Sequence, residues 1–92
     1  MNKAELIEKT ATKAGLTKKD AETAINSMLE VITEALAERE KVQLPGFGTF
    51  EVRERAERTG RNPATGEEIT IPATTIPAFK AGKNLKELVH KA

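Results

Sequence analysis

A chain of 92 residues with 38 % hydrophobic and 32 % charged content suits one small domain of ordinary water-exposed composition. It contains no cysteine, which removes disulfides, thiol catalysis and cysteine-based zinc sites and fits a reducing compartment. The net charge of +1 hides a gradient: residues 1–50 carry seven Lys+Arg against eight Asp+Glu, and residues 51–92 carry eight against six, so the parts stand at −1 and +2. The opening MNKAELIEKT lacks the apolar run of a signal peptide, and no stretch approaches the ~20 apolar residues of a membrane span, so a cytoplasmic protein is expected.

Asn2 followed by Glu5 marks a helix start, Leu6, Ile7, Ala11 and Ala14 recur on one face, and Gly15 supplies a stop. Thr17 followed by Asp20 marks a second start. Ala21, Ala24, Ile25, Met28, Leu29, Ile32, Ala35 and Leu36 then hold the 3.6-residue period through about residue 38. The two helices form a hairpin. A helix-turn-helix reader of DNA is disfavoured, because the second helix carries Glu22, Glu30, Glu34 and Glu38, which repel phosphate.

In KVQLPGFGTFEV, Val42 and Leu44 alternate, Pro45 and Gly46 interrupt, and Phe50 and Val52 resume, which predicts two strands around a tight turn. Gly46 and Gly48 bracket Phe47, and this Gly-x-Gly reads as structural, since no phosphate-binding fingerprint surrounds it. Phe47, Phe50 and Phe79 are the only aromatic residues and are expected in the core.

After Val52 the segment RERAER offers nothing large to bury, yet Ile69, Thr70 and Ile71 regain strand character across a turn at residues 62–66. A two-stranded arm over about residues 53–76 follows. At ~3.3 Å per residue and roughly ten residues per strand it would extend about 30 Å, mobile until it meets a partner. Pro72 and the shift of apolar phase between Ile71 and Ile76 predict a bend or bulge. Pro77 and Phe79 close the sheet, Gly82 precedes a short helix packed down by Leu85, Leu88 and Val89, and Lys83 and Lys86 project away. His90, alone in a terminal turn, carries no catalytic or metal assignment. No nucleophile paired with a base stands out, so no enzyme, metal or cofactor is expected.

The fold expected is therefore α+β in one domain, 1–92: a helical part at 1–40, a small antiparallel sheet with its arm at 41–82, and a helix at 83–92. With an arm that buries nothing, the remainder is thin for an independent core, so an obligate dimer sharing one core is inferred. Its core residues are Met28, Leu29, Ile32, Leu36, Leu44, Phe47, Phe50 and Phe79. Arg53, Arg55, Arg58 and Arg61, with Lys80, Lys83 and Lys86, form either a solvated surface or a footprint for a polyanion.

GFGTFEVRERAERTGRNPAT, together with KAELIEK, GLTKKDA, EKVQLPGFG and PAFKAGK, closely resembles the bacterial histone-like HU and integration host factor family over the whole chain. The resemblance implies an intertwined homodimer whose two arms wrap double-stranded DNA. A proline at each tip, here Pro63 beside Asn62, would enter the minor groove as an intercalating wedge. It further implies a nucleoid-associated, non-enzymatic protein that bends and compacts DNA with little sequence specificity and prefers deformed or gapped DNA, with RNA a further candidate ligand. A site-selective integration-host-factor-like subunit and a dimeric protein-interaction module are the alternatives. Glu57 and Glu67 in the arm, and Arg39 where a helix-ending glycine is frequent, depart from the family pattern.

Overall fold

The computed structural model describes all 92 residues, in which two helices are followed by five strands and a last helix. Helix α1 spans Lys3–Ala14 and helix α2 spans Lys18–Ala37. The Asn2 side chain accepts a hydrogen bond from the Glu5 N–H at 2.9 Å, and Thr17 Oγ1 accepts from the Asp20 N–H at 3.1 Å. Each cap satisfies an N–H that has no partner inside its helix. Gly15 ends α1 in the left-handed region at φ 70°, and the Leu16 N–H reaches back to the Ala11 carbonyl at 2.9 Å.

Strand β1 (Val42–Leu44) turns through Pro45, Gly46 and Phe47 into β2 (Gly48–Arg55). The distal strands are β3 (Arg58–Arg61) and β4 (Glu68–Ile71); β5 (Thr74–Ala81) returns, and α3 (Lys83–Lys91) follows Gly82. All pairing is antiparallel, with β1-β2-β5 in one sheet and β3-β4 in a two-stranded sheet of its own.

The disturbance expected near Pro72 as a bend or bulge takes the form of a break in the ladder, with no bulge. Arg55 pairs with Thr74 on one side of the break and Arg58 with Ile71 on the other, so two residues lie between the paired rungs on each strand, 56–57 and 72–73. An equal count preserves register; a bulge would place an extra residue on one strand. Pro72 lies in this gap, and having no N–H it cannot donate to a ladder.

The chain forms two compact units, Met1–Ala35 and Leu36–Ala92. In the first, burial reaches only Ala11, Ala21 and Ile25. At 100° per residue the apolar positions of α2 sweep an arc of about 160°, yet Met28 is 52 % and Val31 62 % exposed. In the second unit Phe79 meets Phe50 at 4.9 Å and Phe47 at 5.5 Å between ring centroids. Phe47 and Phe79 nevertheless remain exposed. Leu88 and Val89 do not pack α3 down as expected: both are exposed, and only Leu85 is half-buried.

Gly48 is where the sheet permits no side chain. A Cβ there would lie 2.5 Å from Phe79 Cζ and 2.7 Å from the Lys80 carbonyl oxygen. Gly48→Ala is therefore expected to lose about 1–3 kcal/mol by overpacking and to lower the thermal midpoint by about 10 °C in calorimetry. An unchanged midpoint would mean that the ring and strand move aside freely.

Candidate nucleic-acid interface

Side chains alternate across a strand, so register assigns each basic residue to a face. Thr49 pairs with Lys80, Glu51 with Ala78, Arg53 with Ile76 and Arg55 with Thr74. Arg53, Arg55 and Lys80 thus share one face of the sheet, while Phe50, Val52, Pro77 and Phe79 occupy the other. The apolar alternation that built the strand also sorts the charge. Glu51 interrupts the basic face and holds the Arg53 guanidinium at 3.4 Å.

Beyond the break the ribbon carries charge on both faces. Arg58 is opposite Ile71 and Gly60 opposite Ile69, whereas Thr59 is opposite Thr70 and Arg61 opposite Glu68. Arg58 and Arg61 therefore do not share a face. Gly60 leaves room into which Ile71 leans: a Cβ on Gly60 would lie 3.2 Å from Ile71 Cδ1.

The tip is an ordered turn. The Asn62 N–H donates to the Glu67 carbonyl at 2.8 Å, the Gly66 N–H returns to the Asn62 carbonyl at 2.7 Å, and Gly66 takes φ 73°. Asn62 Oδ1 accepts from the Ala64 N–H at 2.9 Å, spanning Pro63. Pro63 itself is exposed. Asn62 thus shapes the turn that presents the proline.

Lys83 and Lys86 sit on the first turn of α3, whose position is fixed by the Gly82 N–H donating to the Phe47 carbonyl at 2.8 Å. Asn84 approaches Gly46, with its Nδ2 3.5 Å from where a Cβ would be. The Gly46–Gly48 turn thereby gathers Lys80, Lys83 and the helix N-terminus at one end of the sheet.

The eight residues assigned to a dimer core share one property: none is buried within the chain. Met28, Leu29, Leu44, Phe47 and Phe79 are exposed, and Ile32, Leu36 and Phe50 are half-buried. Val31, Leu88 and Val89 are exposed as well. Val31 lies beside Met28 on α2, as the helical period places it; the exposure of the α3 pair was not legible, because an apolar face reads the same whether or not its own sheet covers it.

A coreless ribbon with arginines on both faces, rooted in a basic sheet face, defines a nucleic-acid-binding module. The family profile described as Bacterial DNA-binding protein matches residues 1–90, and the chain belongs to that family. It is 64 % identical over 91 residues to the DNA-binding protein HU of Clostridium pasteurianum, covering 99 % of this chain and all of the relative. It is 66 % identical over 88 residues to the DNA-binding protein HU of Lactococcus lactis, covering 96 % of this chain and 97 % of the relative. Among solved structures, an Anabaena HU–DNA cocrystal structure superposes with TM-score 0.90 at 51 % identity and full coverage of both chains. HU from Thermotoga maritima superposes with TM-score 0.69 at 44 % identity, over 97 % of this chain and 98 % of that one. No helix is long and apolar enough to cross a membrane.

Proposed function

We propose that this protein is a non-enzymatic architectural DNA-binding protein that works as a homodimer, gripping double-stranded DNA through the minor groove with two arms and bending and compacting it with little sequence specificity. The observation that carries this reading is the arm: a ribbon with no core of its own, arginines on both faces and an exposed proline at an ordered tip. Such a ribbon gains buried surface only from a partner, and its charges suit phosphate. Arg53, Arg55 and Lys80 engage the backbone from the sheet, Lys83 and Lys86 from the start of α3, and Arg58 and Arg61 from opposite faces of the distal ribbon. Pro63, rigid and without an N–H, enters a base step without burying an unpaired donor, and Asn62 holds it there.

Uncovered apolar side chains support the dimer. Met28, Leu29 and Val31 on α2, and Phe47 and Phe79 in the sheet, stand exposed in the single chain, as expected of faces that an obligate partner covers. Within the dimer the chain acts as one DNA-binding domain, with residues 1–40 for dimerisation, 41–82 for the sheet and arm, and 83–92 closing it. Its place is on the nucleoid, in the cytoplasm.

Specificity in this arrangement comes from how easily DNA deforms, which favours gapped, nicked or flexible duplexes. Fluorescence-anisotropy titration at fixed salt, with two unrelated intact duplexes and one gapped duplex, tests it. Similar binding to both intact duplexes and tighter binding to the gapped one is the expected result. Strong preference for one intact sequence would point to a site-selective bender, and no binding to any would point to a protein-interaction module.

If half of seven basic residues per chain engage, about seven phosphates per dimer give a log–log salt slope near −6. Arg55→Ala is expected to weaken all three duplexes alike, about fivefold, and to flatten the slope by about 2 because two copies are lost. A loss confined to one sequence would contradict phosphate contact.

A further inference from the structure

Arg39 is the one residue other than glycine with positive φ, at 64°, a left-handed conformation that side chains seldom adopt. It follows the end of α2, where glycine ordinarily serves. Its N–H donates to the Leu36 carbonyl at 3.0 Å, which any residue could do. Its side chain does what glycine cannot. Nη1 donates to the Ala37 carbonyl at 3.2 Å, Nη2 donates to Thr75 Oγ1 at 3.4 Å, and Nε lies 3.9 Å from Glu54 Oε1.

Glu54 and Thr75 are cross-strand partners in β2 and β5. One guanidinium therefore touches both strands on a single rung, and that rung is the last but one before the break at 56–57 and 72–73. The planar fork of arginine, fixed at one end to the helix terminus, suits this bridging; a lysine ammonium could not hold both partners in the same geometry. From these contacts we infer that Arg39 is a positioning residue for the arm, stapling the two strands at its root so that the distal ribbon moves from a fixed rung. The staple also pairs Glu54, a carboxylate that would otherwise stand free at the base of an arm built to approach phosphate.

The consequence for DNA rests on the proposed function: a root ordered in advance leaves less to order on binding. The consequence for the free protein does not. All contacts are exposed, the Arg39 side chain at 56 % and the Glu54 side chain at 76 %, so the expected effects are modest.

Amide hydrogen exchange on the full-length protein tests the staple. In Arg39→Gly, exchange at residues 53–55 and 74–76 is expected to quicken about two- to fivefold. The thermal midpoint should hold or rise, because glycine relieves the left-handed strain. Arg39→Lys should quicken the same amides with no such rise. Glu54→Gln should quicken them partly, and adding it to Arg39→Gly should add nothing, as expected of residues in one contact. Binding to gapped DNA should weaken about two- to threefold in Arg39→Gly.

Unchanged exchange at the root in Arg39→Gly overturns the inference, as do additive effects of the two substitutions. Exchange rising equally in α1 and α2 with a lowered midpoint also overturns it, since Arg39 would then serve the fold at large. Failure of the wild-type protein to bind DNA would sink the proposed function and leave the exchange result standing.

Discussion

Replacing Pro63 with alanine is expected to reduce the preference for gapped over intact DNA about tenfold while weakening binding to intact duplex only two- to threefold. A tenfold change corresponds to about 1.4 kcal/mol, within the few kcal/mol at stake in unstacking a base step. Alanine keeps the turn, because the bonds that close it run from Asn62 to Glu67, Gly66 and Ala64 and none involves Pro63. What it loses is the rigid apolar ring, and it gains an N–H that must be desolvated to enter a base stack. Arginine contacts with phosphate persist, so attachment survives. Energy-transfer measurement of DNA bending beside binding titrations checks this, and equal losses in bending and attachment would remove the wedge from the mechanism.

Met28→Asp should abolish the folded protein at micromolar concentration. Met28 is 52 % exposed in the single chain, so a monomeric fold would accept aspartate there at little cost. In a dimer that covers the α2 stripe, the same carboxylate becomes buried and unpaired, at a cost of several kcal/mol against a total stability of about 5–15 kcal/mol. Circular dichroism should show loss of most helical signal, while Glu30→Lys on the polar face of α2 should leave it intact. The wild-type midpoint should climb with chain concentration. A folded, monomeric Met28→Asp with a wild-type midpoint would refute the shared core.

Much of the fold was legible because its signals are local. Asn2, Gly15 and Thr17 act within four residues of themselves, and the structure shows their bonds and dihedral angles as expected. The helical hairpin, the turn at Gly46 and Gly48, the arm and its tip all follow from spacing along one segment. What stayed hidden lies where two distant segments decide together. A bulge and a break differ only in how many residues the opposite strand holds, so Pro72 could announce a disturbance without saying which kind. The distribution of Arg53, Arg55, Arg58 and Arg61 between faces depends on how the ladder continues past residues 56–57, which no single strand reveals. Leu88 and Val89 looked like residues packed within the chain because an apolar stripe does not say whose surface it meets. Arg39 was visible as a departure from glycine, but its reach to Glu54 and Thr75 appears only once the strands are paired.

The matched gap in the ribbon also limits how the arm can change in length. Because each strand contributes two residues between the paired rungs, the arm keeps its register when gain or loss is matched on both sides of its tip. One residue inserted between Ile71 and Thr74, unless taken up as a bulge, would slide every pair beyond it and turn that strand over, carrying Ile69 and Ile71 to the side now held by Thr59 and Thr70. Paired insertions and deletions are therefore the least disruptive way for this arm to change in length, even though it buries almost nothing that would otherwise constrain it.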